Sequence, residues 1–342
     1  MSSMSTRKKY LLIPAWILIA AIVAVGVIQS GPPASYFDLY GFLFVLIGGM
    51  ALVLISFPGA EIGRAFRHAV GVSGSDAELR NSTHFWEAAG RSFWILGGMR
   101  SILSIIIGFA GMATQKYAGL PAIIAFLIQS LLSTFYGSLL AVICFVPCWK
   151  LMGKLQSRLS APDAERNETP ASVGHPGWEF GAYIGYVLFL ATLVLTVHLP
   201  RPLMVWTVYR PSLLLVLGGT LALILFMGIN NIRLTPSAAF AGMGLIGSLM
   251  GFIQMLHGMT VPTPQGVGHV AGALVFILSS CFTALLGMAL VGAPLEDRAI
   301  RAGRAGAPSA FSRVSWYVFP LLSLIFLVLV FNMIIMPLPP SR

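Results

Sequence analysis

Hydroxyl side chains sit inside otherwise apolar stretches of this chain at Ser133, Thr134, Ser248, Ser279, Ser280 and Thr283. In such surroundings a hydroxyl can hold a water molecule or hydrogen-bond a carboxylate, which is the chemistry of a proton path. It can equally bond back to the carbonyl four residues earlier, as Ser and Thr often do in membrane helices. Residue type alone leaves both open. A proton carrier needs a titratable group, and no Asp, Glu, Lys or His falls in the middle of an apolar stretch. Asp38 and Glu179 stand at stretch ends, and Arg100, near the inner end of another, can snorkel to the interface. A path through this chain therefore needs a carboxylate from elsewhere.

Other chemistry is poorly supported. His257 and His269 flank the loop GMTVPTPQGVG, but a flexible separation of that length is not a metal-ligand motif. Met243, Met250, Met255 and Met259 read as packing filler. Cys144, Cys148 and Cys281 fall in apolar segments or at their ends and suggest neither a disulfide framework nor a metal site. There is no phosphate-binding loop, nucleophile triad or pair of carboxylates on one helix. The expectation is a non-enzyme with no cofactor and no metal.

The elements that would position these hydroxyls follow from composition. Of 342 residues 57% are hydrophobic and only 9% charged, against about a quarter in soluble domains. With a mean hydropathy of +0.87, the chain reads as an all-α polytopic membrane protein. The net charge of +10 is scattered over short loops rather than gathered on one aromatic-studded face, which argues against nucleic acid. Apolar runs predict about nine transmembrane helices, near 11–28, 38–57, 94–113, 120–149, 179–199, 211–228, 238–256, 267–292 and 314–336. The first is long for a signal-peptide core and has no obvious cleavage site. Residues 59–93, rich in Arg, Glu and His, predict one or two amphipathic helices at the inner surface. Trp86, Trp94, Trp149, Trp178, Trp206 and Trp316 lie near span ends, as interfacial anchors do. With the N-terminus inside, only Lys116, Arg201, Arg210 and Arg342 of the 21 basic residues face outward, so the positive-inside rule fixes the orientation and places the C-terminus outside.

Glycines at helical spacing mark where helices pack. Gly244, Gly247 and Gly251 share one face, and Gly48, Gly49, Gly108, Gly218 and Gly219 sit inside other spans. Their placement exposes a repeat. FVLIGGMALVL around Gly48 and Gly49 matches LVLGGTLALIL around Gly218 and Gly219, Gly108 matches Gly251, and Ser133 matches Ser279. The division is then 1–158, a first four-helix unit carrying the segment 59–93; 159–177, a Pro/Ser/acid-rich linker; 178–298, a second four-helix unit; and 299–342, a loop and an extra ninth helix.

GLIGSLMGFIQM, followed by SSCFTALLG and a Pro-Leu-Glu-Asp-Arg exit, resembles the last two membrane helices of the MotA/TolQ/ExbB proton-channel superfamily. Ser133-Thr134-Phe135-Tyr136-Gly137 with Pro147 resembles the same fourth helix in the first unit. The resemblance spans roughly residues 10–298. It implies a homo-oligomeric ring, usually five subunits, around single-span ExbD/TolR/MotB-like partners that supply the proton-carrying Asp. It also implies that Thr134, Ser248, Ser279 and Ser280, with Ser133 and Thr283, line the proton path. Ile105 stands where Ser248 stands in the second unit, which weakens a path through the first. The implied role is a proton-motive-force-driven motor or energy-transducing subunit of the bacterial inner membrane. A TolQ/ExbB-like role suits the small cytoplasmic part better than a flagellar stator. A non-conducting scaffold of the same fold is the alternative, and a small-solute transporter is a third reading.

Overall fold

The computed structural model describes residues 38–113, 120–159, 180–198, 210–229, 235–260 and 265–301. Every element among them is helical: α1 Leu39–Ser56, α2 Gly59–Val70, α3 Asp76–Ala113, α4 Leu120–Leu159 and α5 Phe180–His198. Helix α6 begins at Arg210–Leu213, passes a π-helical turn at Leu214–Gly218 and continues as Gly219–Ile229. Helix α7 is Pro236–Thr260, and α8 runs Gln265–Gly287, a second π turn at Met288–Gly292, and an exit segment Ala293–Arg301. The first and ninth predicted spans and the linker lie outside the described residues.

Four helical segments are long and apolar enough to cross a bilayer: Leu39–Ser56, Ile128–Arg158, Pro236–Met255 and Gly272–Arg301. The apolar parts of α5 and α6, Phe180–Val194 and Pro211–Leu225, are shorter. The chain is thus a multi-pass helical membrane protein, and the expectation of about nine spans is finer than these helices establish.

Proline, glycine and serine explain the elbow between α1 and α3. Phe57, immediately before Pro58, is extended (φ −128, ψ 138), as the pre-proline clash requires, and so ends α1. Helix α2 closes at Gly71, whose left-handed φ of 119 lets its N–H reach the carbonyls of Arg67 and His68. Ser75 and Glu78 then form a capping box: the Glu78 N–H donates to Ser75 Oγ (3.3 Å) and the Ser75 N–H to Glu78 Oε2 (2.9 Å). That backbone donor holds the Glu78 carboxyl below its usual range. Helix α2 buries Ala65 and His68 and leaves Phe66 and Val70 exposed, the amphipathic character its sequence suggested. Burial pushes the His68 imidazole below its ordinary value, and Ser82 Oγ lies 2.7 Å from its Nδ1.

Residues 76–93 form no separate surface helix. They are the first half of α3, whose 38 residues run on without a proline. Leu79, Phe85, Ala88 and Ala89 bury that half against its neighbours. Trp86 belongs to this packing rather than to the interface: it is buried, stacks edge-on with Phe66 and Phe85, and donates from Nε1 to Ala65 O (3.3 Å). Trp149, by contrast, is exposed.

Helices α3 and α4 form one hairpin, and α7 and α8 another. Helix α1 lies against α3, α4 and α5; α6 lies against α7 and α8; α8 packs on α3. At 38 and 40 residues, α3 and α4 are about 57 and 60 Å long, roughly twice a hydrocarbon core of about 30 Å. Their tightest crossing is at Gly97 and Gly137, where a Cβ on Gly97 would sit 2.9 Å from Ser133 O and 3.0 Å from Gly137 Cα. Among the described residues the main core, from Phe44 and Phe57 through Leu96 and Met99 to Phe282 and Leu285, joins both hairpins, and a smaller cluster of Met255, Ala273 and Leu274 lies within the second.

Candidate functional site

The structure places the hydroxyls in two separate sets. The first lies between α3 and α4. Ser101 Oγ is 2.6 Å from Ser130 O and 2.6 Å from Thr134 Oγ1, tying the helices together. Ser133 Oγ donates to Gln129 O (2.8 Å) and Ser138 Oγ to Thr134 O (2.7 Å), so part of the set does bond back within its own helix.

Two charged groups border this set. Arg100 is only 6% exposed, and its guanidinium donates from Nη1 to Ser104 Oγ, one turn further along α3. The expected snorkelling does not occur: the side chain is buried in the bundle, where Asp38 is the acid whose charge acts on it. Asp38 precedes α1. Its N–H donates to the Tyr136 hydroxyl (2.7 Å), and its carboxylate folds over Gly41, where a Cβ would meet Asp38 Oδ2 at 2.5 Å and Ser133 Oγ at 3.2 Å. Asp38 Oδ2 and Arg100 Nε are both buried without a hydrogen-bond partner.

The second set belongs to α6, α7 and α8. Ser279 Oγ meets Ser212 Oγ at 2.6 Å. Ser248 Oγ donates to Gly244 O (2.8 Å) and lies 2.9 Å from Cys281 Sγ. Ser280 Oγ is buried without a hydrogen-bond partner against Gly247, and Thr283 is buried. Of the glycines singled out, Gly48 meets Leu96, Gly49 meets Phe93, Gly219 meets Met243 and Gly251 meets Ile277. Gly244 is buried. Gly218 meets nothing among the described residues and so marks no contact there. The side chain position of residue 108 lies outside the described set.

A third arrangement was legible in the sequence only as an exit motif. The segment after Pro294 is an ionic clasp on the first half of the chain. Asp297, 1% exposed, accepts from Arg91 Nη2 at both oxygens (2.7 and 2.9 Å). His84 Nε2 lies 3.2 Å from the same carboxylate, off the hydrogen-bond direction. Glu296 Oε1 accepts the Ser237 N–H (2.9 Å) and so caps α7 from α8. Arg298 donates to Ile55 O (3.2 Å); Arg301 donates to Ser56 O and Glu61 Oε2 (3.1 Å) and covers the Phe57 ring. These carbonyls end α1, so the clasp supplies the cations that a helix C-terminus favours.

Among the described residues no three His, Cys, Asp or Glu side chains gather where a metal could bind. His257 is exposed; the His269 side chain lies outside the described set. Met243 and Met255 are buried in packing, whereas Met250 is exposed. No protein-family model, no curated protein and no solved structure matches the chain.

Proposed function

We propose that this chain is the membrane subunit of a proton-motive-force-driven motor or energy-transducing channel, forming a homo-oligomeric ring around a single-span ExbD/TolR/MotB-like partner. The supporting observation is the arrangement common to both halves. Each has a Gly-Gly helix, α1 or α6, lying on an antiparallel hairpin with buried hydroxyls, α3–α4 or α7–α8. This favours an internal duplication, completed to nine spans by the predicted first and last helices. The α3–α4 hairpin, longer than a bilayer is thick, suits a lever that carries motion out of the membrane on the inner side. In this reading the protein resides in a bacterial inner membrane with its N-terminus cytoplasmic and C-terminus periplasmic. One unit of each chain lines a pentameric ring and the other packs outside it.

The test is the native mass of the detergent-solubilised complex purified from its own host. Five copies with a pair of small single-span proteins is the expected result. A two- or three-chain assembly without such a partner would overturn the motor reading and leave a scaffold or transporter.

A further inference from the structure

We propose that Asp38 is a proton-binding carboxylate belonging to this chain, with Arg100 as its counter-charge, in the first unit and not the second. The inference rests on the membrane reading and not on the motor or its partner.

Position is the first argument. Helix α1 has 18 residues and spans about 27 Å, close to the hydrocarbon thickness. Its inner end is held by Arg298 and Arg301, so Asp38 stands at the outer mouth. Arg91 meets Asp297 at the inner end, and Arg100, nine residues along α3, lies about 14 Å above it, near mid-membrane. Its side chain rises from there toward Ser104, and the charge of Asp38 acts on it. An intramembrane guanidinium is costly to bury and is retained where it acts on another charge.

Unmet hydrogen-bonding capacity is the second argument. Asp38 Oδ2 lacks a donor and Arg100 Nε lacks an acceptor, and both atoms are buried. Water can meet either atom, whereas a metal cation would satisfy the carboxylate and repel the guanidinium. The site therefore suits a proton arriving by water. The carboxylate takes one proton from hydronium, leaving water, and returns it by the reverse step; Arg100 keeps its charge throughout. Gly41 leaves the room that the carboxylate occupies, and Ser133, which the resemblance places on the path, stands over the same glycine. The groups facing Asp38 are Arg100 from α3 and Tyr136 from α4. Helix α5, also packed on α1, carries no Asp, Glu, Lys or Arg; its titratable residues are Tyr183, Tyr186 and, as its last residue, His198.

The repeat supplies a control. In the second unit Val208 stands in the place of Asp38, Met243 in that of Arg100 and Phe282 in that of Tyr136, while Ser279 keeps the place of Ser133. The hydroxyl is duplicated and the charges are not.

Dicyclohexylcarbodiimide tests this directly on the full-length protein in its native membrane. The acid proton moves to a carbodiimide nitrogen as the carboxylate oxygen bonds the central carbon, and the adduct rearranges to an N-acylurea, so only a protonated carboxyl in apolar surroundings is trapped. Mass spectrometry of wild type should find the adduct on Asp38, falling several-fold as pH is raised. It should be lost in Asp38→Asn and rise several-fold in Arg100→Gln. Absence of an Asp38 adduct in the wild-type protein, which needs no variant to fold, would overturn the proposal. So would labelling indifferent to Arg100→Gln in a variant that purifies as wild type does. A labelled Asp38 in a complex lacking the small partner would sink the motor and keep this site; a partner with unlabelled Asp38 would do the reverse.

Discussion

At the scale of single residues, the strongest constraint is the burial of Asp297 against Arg91. Two charges inside a protein are tolerable only while each satisfies the other, and removing one partner strands its mate at about 3–5 kcal/mol. Asp297→Ala should therefore lower stability by about that much, read as a fall in the denaturation midpoint of the purified protein in detergent. Exchanging both partners for apolar residues, Arg91→Met with Asp297→Leu, should recover most of the loss, since a packed apolar pair can replace a buried ion pair. A double variant as unstable as the single one would show that His84 and the backbone, not the charge pair, hold the exit segment. Sequence reading found Asp297 only inside a motif, because its partner lies 206 positions away and nothing local links them. Arg100 was misread for a related reason. Snorkelling assumes a free route to water, and the buried guanidinium is instead taken up by Ser104, one turn further along the helix.

At the scale of elements, punctuation was legible and packing was not. Pro58 visibly ends α1, and Pro294 forecasts trouble in α8 because a proline gives no N–H to the carbonyl four residues back. The structure shows how that is met: α8 widens into a π turn at Met288–Gly292, and the Tyr186 hydroxyl donates to Leu290 O (3.1 Å). Which glycines bring helices together was less readable, since a small residue in a span suits several partners. Gly97 carries no sequence signal and Gly137 stands out only within the Ser133–Gly137 motif, yet their backbones touch, whereas Gly218 meets nothing among the described residues. Gly97→Leu should force α3 and α4 apart at a cost of at least about 1–3 kcal/mol, the usual range for overpacking, and lower the yield of folded protein. Gly218→Leu should leave the melting temperature of the isolated chain nearly unchanged. Equal effects at both positions would mean that the hairpin crossing is not where the close contact lies.

At the scale of the whole molecule, hydropathy specifies a bundle of spans and the positive-inside rule predicts its orientation, but neither says how far it extends beyond the bilayer. That extension is a property of α3 and α4 together. Where α3 begins and α4 ends, Arg158 is bonded to Gly74 O (2.8 Å) and Asp76 (3.0 Å), and Lys150 to Ala69 O (2.6 Å), which fastens the elbow to the hairpin. Ser157, near the end of α4, is exposed there. The native thiols Cys144, Cys148 and Cys281 are all buried, so a single introduced thiol at Ser157→Cys should dominate labelling by a membrane-impermeant maleimide. Inverted vesicles should label and right-side-out vesicles should not, because α4 leaves the membrane on the side where the basic residues cluster. Labelling of right-side-out vesicles alone would invert the topology and put Asp38 at the inner mouth, where it would release protons rather than receive them. Protection on both sides would instead bury the end of α4 in a neighbouring subunit, because a helix about 60 Å long cannot be hidden by a hydrocarbon layer of about 30 Å.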